Sequence, residues 1–241
     1  SMYEQYDNYK SRFLFARCCN DYGAVQLRMG NVVEAEQYLR KALQLKEIST
    51  REAPFDYSMR RSLASSYHNV ASLADYIGKR DDAGRMHERG IELASRLVDE
   101  QPDSLECRVE LAKSWSAMAT WHSNSQRYEK GEECFEKADQ ILAEVTSRAP
   151  ELGIAQRIIH QNNSLRLQSQ NGQAWKLATH PLAEQRDGAR AVELARKVCE
   201  VTGWKDANYL DTLAAANAEK GDFEAAMKNV GRAIALSDGK E

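Results

Sequence analysis

The sequence predicts an all-α fold, an α-solenoid of about ten helices that pair as antiparallel hairpins. The composition favours helix, because 29% of the 241 residues are charged, only 8% are aromatic, and the chain has just 4 Pro and 13 Gly. A segment near the carboxyl terminus has the pattern of two amphipathic helices joined by a turn. Much of the remaining chain repeats itself at a fixed interval, which is typical of stacked helical units.

The clearest hairpin lies between residues 209 and 236. Gly221 is placed to end its first helix, and Asp222 is placed to cap its second. Apolar residues three and four apart give each helix one apolar face. These faces comprise Leu210, Leu213, Ala214 and Ala218 in the first helix, and Phe223, Ala226, Val230, Ala233 and Ile234 in the second. Because one hairpin cannot bury both faces, we expect neighbouring hairpins to stack against it.

The residues of this hairpin resemble a tetratricopeptide repeat (TPR), with departures at Asn217 and Asp238, where the family usually has a large aromatic residue and often a proline. Residues 174–236 resemble more narrowly the TPR regions of large bacterial signalling proteins, which often carry a serine/threonine kinase domain. The chain itself has no kinase motif. The resemblance implies a right-handed solenoid.

Ser1 before Met2 is typical of a cleaved tag, and we expect the chain to be part of a larger protein.

A 48-residue repeat organises the chain before this region, and it is marked by Pro54, Pro102 and Pro150. Small and apolar residues recur at the same interval. The columns are Ala16, Ala64 and Ala112; Gly23, Ala71 and Ala119; Gly30, Gly78 and Gln126; and Ala42, Gly90 and Ala138. A TPR unit has about 34 residues, so the additional residues predict about two extra turns in each helix.

The domain organisation follows from this repeat. We expect one TPR-like solenoid over residues 1–241, with units at about 3–50, 54–101 and 102–149, an irregular unit at 151–201 and a last hairpin at 205–237. Within the irregular unit we expect a helix at 151–170, a break at Asn171-Gly172, a short helix at 174–178 and a further helix at 187–201. The path of the helix at 151–170 stays open.

Composition and motifs argue against several classes of function. A net charge of −3 disfavours nucleic acid as a partner, and no apolar run approaches the roughly 18 residues of a membrane span. The chain lacks nucleotide-binding, hydrolase and metalloprotease motifs, and its His residues lack metal-ligand spacing. We therefore expect no enzyme, no metal and no cofactor. Five Cys without disulfide-like spacing favour reduced thiols and a cytoplasmic location.

Two local predictions concern the second unit. His87 shares a column with Leu39 and Phe135, so we expect it to be a buried core residue rather than a ligand. Asp81 and Asp82 lie at the expected hairpin turn, so we expect them to cap the following helix.

Polar residues on the first helix of each hairpin are the candidate binding surface, because this helix lines the concave groove of TPR proteins. Alignment of the first three units places Arg17, Asn20, Arg28, His68, Asp75, Tyr76, Lys113, Thr120 and Asn124 there. Such a lining suits an extended peptide or a partner helix, whereas the alternative for each residue is a solvated helix face without a ligand.

Some TPR proteins bind the terminal carboxylate of a partner with a clamp of Lys and Asn residues, and the clamp positions can be compared with this sequence. Asn69 and Lys113 match its positions, whereas Asn20, Ala24 and Ala117 do not, so we predict no such clamp. The sequence therefore predicts a non-catalytic protein-interaction scaffold that binds a peptide or another domain of its parent. The alternative is a structural spacer or oligomerisation module without a groove ligand, and the oligomeric state stays open.

Overall fold

The computed structural model describes residues 8–239, so residues 3–7 of the first expected unit lie outside the described part. Within residues 8–239 the chain forms ten α-helices, one short 3-10 helix at Ala183–Gln185 and no β-strand. The helices are α1 (Tyr9–Arg28), α2 (Val32–Glu52), α3 (Tyr57–Tyr76), α4 (Arg80–Glu100), α5 (Leu105–Asn124), α6 (Tyr128–Arg148), α7 (Gly153–Thr179), α8 (Gly188–Val201), α9 (Ala207–Lys220) and α10 (Phe223–Ser237). The predicted all-α fold is confirmed.

Helices that follow each other in the sequence pack against each other, and the chain divides into two compact bodies. The first body comprises the described residues up to Ser125 together with Glu129–His160, and within it α1 packs on α2, α2 on α3, α3 on α4 and α4 on α5. The second body comprises Gln126–Tyr128 and the described residues from Gln161 onward, and within it α8 packs on α9 and α9 on α10. Consecutive packing is the arrangement that the stacked-hairpin prediction requires.

Helices α1 to α6 are long, with 20 or 21 residues each, as the long repeat predicts. Pro54, Pro102 and Pro150 each lie two residues beyond the end of α2, α4 and α6. Proline has no backbone N–H to donate and restricts the residue before it, so it stops each helix at the same place in the repeat.

Small residues at the repeat columns let the helices approach closely. The alanines with no exposed surface at these columns are Ala16, Ala64, Ala112, Ala71, Ala119, Ala42 and Ala138. Gly90 shares a column with Ala42 and Ala138, and a Cβ atom added there would lie 2.4 Å from the His68 Cε1 atom. Glycine at position 90 therefore makes room for an imidazole ring that packs between helices.

A column of arginines joins the two helices of each hairpin. Arg12, Arg60 and Arg108 lie 48 residues apart, and each donates to a glutamate near the end of the partner helix. The pairs are Arg12–Glu52 at 2.5 Å, Arg60–Glu100 at 2.7 Å and Arg108–Glu144 at 2.8 Å. The arginines thus repeat with the same period as the core, while the glutamate of the third pair lies one helical turn earlier than those of the first two.

A buried pair of imidazoles occupies the core between α3 and α4. His87 is buried, as predicted, and its Nδ1 atom lies 3.1 Å from Nδ1 of His68. The Nε2 atom of His68 lies 2.7 Å from the Ser114 hydroxyl. Burial lowers the pKa of His68 to about 4, and burial together with the neighbouring His68 and His122 lowers the pKa of His87 to about 3.

The expected helix break at Asn171-Gly172 is wrong, because α7 continues without interruption from Gly153 to Thr179. Asparagine and glycine disfavour a helix interior by only about 1 kcal/mol per residue relative to alanine. Ala174 and Ala178 lie in the apolar core of the second body, and burying them favours continued helix. The expected separate helix at 174–178 is therefore the last part of α7, which ends before His180 and Pro181 as predicted.

The expected capping role of Asp81 and Asp82 is also wrong. Helix α4 begins at Arg80, so Lys79 is at the capping position and makes no side-chain capping bond. The two carboxylates lie in the first helical turn, where they face the positive end of the helix dipole. Asp82 also pairs with Arg85. In contrast, Gly221 and Asp222 have their predicted places, and Asp222 Oδ1 accepts a hydrogen bond from the Ala225 amide at 3.1 Å.

The hairpin turns provide a matched test of backbone strain. Gly30, Gly78 and Gln126 share a column and have φ angles of +81°, +80° and +57°. Left-handed backbone costs a residue with a Cβ about 1–2 kcal/mol. We expect Gly78→Ala to lower the free energy of unfolding by about 1 kcal/mol and Gln126→Gly to raise it by up to about 1 kcal/mol. Urea unfolding of both variants measures these changes, and changes of the same sign would contradict this account.

The imidazole pair should make the fold sensitive to acid. The pKa of both rings is lower in the folded chain than the ordinary 6.5, so the unfolded chain binds more protons between pH 6.5 and about 4. The free energy of unfolding should therefore fall by a few kcal/mol as the pH drops through this window, at about 1.4 kcal/mol per unit of pKa difference. We expect a shallower fall in His87→Leu, measured by urea unfolding across this range.

The control for this experiment is Leu73→Ala, which removes buried apolar surface without removing a titrating group. It should be less stable than the wild type at every pH but show the same pH dependence. A His87→Leu variant with the wild-type pH dependence would show that these rings do not govern acid sensitivity.

Candidate functional site

A cavity of about 600 Å³ opens between the amino-terminal halves of α1, α3 and α5 in the first body. Its polar lining comprises Arg17, Ser58, Arg61, Ser62, Ser65, Glu106, Glu110, Lys113 and Glu151. Its apolar lining comprises Phe13, Leu105, Val109, Ala149, Leu152 and Ile154. A concave site with an apolar part and several convergent polar groups is the usual form of a binding pocket.

A buried carboxyl group lies on one wall of this cavity. Glu110 is buried, and its Oε1 atom accepts a hydrogen bond of 2.6 Å from the Ser65 hydroxyl. Burial raises the pKa of Glu110, while Ser65, Lys113 and Arg61 act in the opposite direction. The carboxyl group is therefore fixed by its neighbours, with cationic side chains on its exposed side.

A buried lysine supports the floor of the cavity. Lys46 is only 2% exposed, and its Nζ atom donates to the Ser66 hydroxyl at 2.7 Å and to the Ser62 carbonyl at 3.2 Å. Burial lowers the pKa of Lys46 to about 8, although the charge of Asp21 acts in the opposite direction. The ammonium group thus ties α2 to the stretch of α3 that lines the cavity.

Hydrogen bonds continue from this lysine to α1. The Ser66 hydroxyl donates to Oδ1 of Asn20 at 3.1 Å, and the Asn69 amide donates to the same oxygen at 2.9 Å. This network joins α1, α2 and α3 next to the cavity. Because its members are already bonded to each other, the cavity floor is positioned before any ligand binds.

The structure places the predicted binding residues in three settings. Arg17 and Lys113 line the cavity, and within residues 8–239 neither forms an ion pair. Asn20 belongs to the network that joins α1 to α3. His68 lies in the core, where its ring contacts His87 and Ser114.

The other predicted residues lie near the carboxyl ends of the same helices. Asp75 Oδ2 accepts a hydrogen bond of 3.2 Å from the Asn124 amide, which links α3 to α5. Thr120 donates to the Ser116 carbonyl in its own helix at 3.0 Å. Tyr76 and Arg28 are exposed. The assignment of these nine residues to a partner-binding surface stays a prediction.

The sequence analysis missed Lys46, Arg61, Ser62 and Glu110. Lys46 could have been found, because it shares a repeat column with Ala94 and Leu142, both fully buried. A lysine at a position that is apolar core in the other units indicates a charge that needs buried partners. Arg61, Ser62 and Glu110 carry no such indication, because their neighbours across helices are visible only in three dimensions.

A second cavity of about 810 Å³ lies between α2, α3 and α4. Phe55, Leu63 and Leu93 contribute apolar surface to it. Four of its polar side chains are engaged with each other, since Arg60 donates to Glu100 at 2.7 Å and the Tyr67 hydroxyl donates to Glu47 at 2.8 Å. We regard the first cavity as the better candidate, because it brings Arg17 and Lys113 together with the buried Glu110 carboxyl group and with the hydrogen-bonded groups of Lys46 and Ser65.

Metal binding and membrane insertion find no support in the described part of the chain. Among residues 8–239 no group of three His, Cys, Asp or Glu side chains could hold a metal ion. In the same range no helix combines the length and the apolar character needed to cross a bilayer.

The buried lysine gives a pH-dependent test of the cavity floor. The pKa of Lys46 is about 8 in the folded chain and ordinarily 10.5, so the unfolded chain binds more protons between these values. The wild type should therefore gain up to about 3 kcal/mol of unfolding free energy as the pH rises through this window. The Lys46→Met variant has no ammonium group at this position and should not show this gain.

The measurement is the difference in unfolding free energy between the wild type and Lys46→Met, followed by urea titration. The difference should be constant below about pH 8 and should change in favour of the wild type above it. A difference that does not vary with pH would mean that Lys46 titrates alike in the folded and unfolded chains.

Comparison with known proteins identifies the type of repeat. Residues 16–48 match the family model of the tetratricopeptide repeat. The solved structure of BtubC from P. vanneervenii is similar over 97% of this chain and 84% of its own length, with 17% sequence identity and a TM-score of 0.60. MamA MSR-1 C2 is similar over 95% of this chain and 99% of its own length, with 15% identity and a TM-score of 0.41. No curated protein matches this chain.

The family match indicates one tetratricopeptide repeat at residues 16–48. The family match covers the larger parts of α1 and α2, and the likeness to BtubC concerns the fold alone. Repeats of the TPR type usually mediate protein–protein interaction.

Proposed function

We propose that this chain is a non-catalytic scaffold that binds a partner protein, through an extended peptide or a helix that lies along α1, α3 and α5. The cavity between these helices carries the proposal. Arg17 and Lys113 line it without ion-pair partners in the described chain, while Ser65, Glu110 and Lys46 are already held in place. A site whose floor is ordered before binding loses less entropy when a ligand side chain enters.

The environment of the Ser114–His68 pair supports a non-catalytic function. The 2.7 Å contact between the Ser114 hydroxyl and His68 Nε2 has the spacing of a nucleophile and its general base. However, Ser114 has no exposed surface, and its hydroxyl donates to the Glu110 carbonyl at 2.9 Å. The second nitrogen of His68 faces His87 rather than a carboxylate. A substrate could not reach this hydroxyl without unfolding the core.

The partner that we favour is another domain of a larger bacterial signalling protein. This follows from the resemblance of residues 174–236 to the TPR regions of such proteins, many of which carry a kinase domain. A cytoplasmic setting agrees with the cysteines, because none of the five forms a disulfide. The alternative, a spacer or oligomerisation module, predicts a groove that is indifferent to mutation.

The groove proposal is tested with a displayed library of short random peptides, selected on the wild-type chain. Binding of the selected peptides is then measured for Arg17→Glu and Lys113→Glu. Both substitutions reverse a charge at the cavity, so we expect each to weaken binding at least about tenfold. Isothermal titration calorimetry gives the affinities.

The matched controls are Arg89→Glu and Lys130→Glu, which reverse exposed charges on α4 and α6, away from the cavity lining. They should leave binding within about twofold of the wild type. The proposal fails if the library yields no binder, or if the controls weaken binding as much as the cavity variants do.

A further inference from the structure

An exposed apolar stripe runs along α1. Tyr22, Val25 and Met29 lie at intervals of three and four residues, and all three are exposed. We call these three residues the head stripe. Residues at such intervals share one face of a helix, and an apolar face of this kind is normally covered.

The 48-residue repeat shows what the head stripe is built to contact. The residues 48 positions later are Val70 and Leu73 on α3 and Ile77, which caps its carboxyl end. These three residues pack in one apolar cluster with residues of α2, the helix that precedes α3. The head stripe therefore occupies the columns that, in the next repeat, face the second helix of the preceding hairpin.

A second exposed stripe lies on α10. Phe223, Val230 and Ile234 are exposed, whereas Ala226 and Ala233 on the adjoining face are buried. We call Phe223, Val230 and Ile234 the tail stripe. The sequence analysis placed all five residues on one face, and the structure covers only the small ones.

Helix α2 shows what the tail stripe is built to contact. Asn31 is the capping residue of α2, and Asp222 is that of α10. Counted from these caps, Phe223, Val230 and Ile234 correspond to Val32, Leu39 and Leu43. The latter three belong to the cluster in which α2 packs on α3. The tail stripe thus matches the surface of α2 that α3 covers.

We propose that a second copy of this chain docks its head stripe on the tail stripe of the first, with the packing of α3 on α2. Each stripe corresponds position by position to one side of that internal interface, so every copy carries both halves of the contact. This inference does not depend on the groove.

The contact has two consequences for assembly. The head and tail stripes are different surfaces, so the contact is heterologous and each dimer still presents one unused stripe at each end. The stripes contain few side chains compared with a stable interface, which buries about 1,200–2,000 Å² in total. Association should therefore be weak, appear between micromolar and millimolar concentration, and proceed beyond the dimer.

The test uses one variant of each stripe. Met29→Glu and Ile234→Glu each place a charge in one stripe, at side chains that are 67% and 56% exposed, so the fold should be retained. Sedimentation equilibrium should show an average mass that rises with concentration above the monomer value of 27.2 kDa for the wild type, and stays at that value for each variant alone. An equimolar mixture of the two variants should form a dimer and nothing larger, since each supplies the intact stripe that the other lacks.

The control variants carry the same substitution at exposed apolar residues elsewhere. Phe55→Glu and Val201→Glu place the same charge at residues 83% and 63% exposed but outside both stripes, and they should associate as the wild type does. Circular dichroism verifies that all variants are helical. A wild type that stays monomeric at millimolar concentration would overturn the proposal. So would a mixture that stays monomeric, or association that depends on only one of the two stripes.

Discussion

The structure depends on how closely its helices can approach one another. Alanine or glycine recurs at the points of contact, in columns such as Ala16, Ala64 and Ala112, and these side chains are completely buried. Because the small residues return at a fixed interval, each hairpin can pack on the next with the same geometry. The prolines that stop every second helix and the arginines that join the helix ends follow the same period. The regular stacking of the hairpins thus arises from the need for a small side chain wherever two helices make close contact.

Polar groups enter this packing where single repeats depart from the apolar pattern. Lys46 takes a position that is alanine or leucine in the later units, and His87 takes one that is leucine or phenylalanine. Both are buried, so each needs a bonded neighbour, which Ser66 and His68 supply. The hydrogen-bonded groups that result lie next to the cavity between α1, α3 and α5. The polar residues that interrupt the apolar pattern of the repeat therefore distinguish the region around this cavity from the rest of the surface.

The repeat made most of the fold predictable, because a fixed interval constrains many positions at once. Helix lengths, the proline stops and the burial of His87 all follow from the columns, whereas the Gly221-Asp222 turn follows from local capping preferences. Predictions from short local patterns failed where packing outweighed them, as in α7, where the buried Ala174 and Ala178 favour helix beyond Asn171-Gly172. The candidate site was only partly predictable. Arg17 and Lys113 follow from helix position, whereas Glu110 depends on a neighbour in another helix, Ser65.

The contact between Gly90 and His68 makes the residues that these two positions can hold depend on each other. A methyl group at position 90 would overlap the imidazole ring, so alanine is acceptable there only if position 68 first changes to a smaller side chain. The same repeat column has alanine at its other two positions, Ala42 and Ala138, which face other neighbours. With the imidazole ring in place, a methyl group is excluded at position 90. A single close approach between two helices thus makes the effect of a substitution at one position depend on the residue at the other.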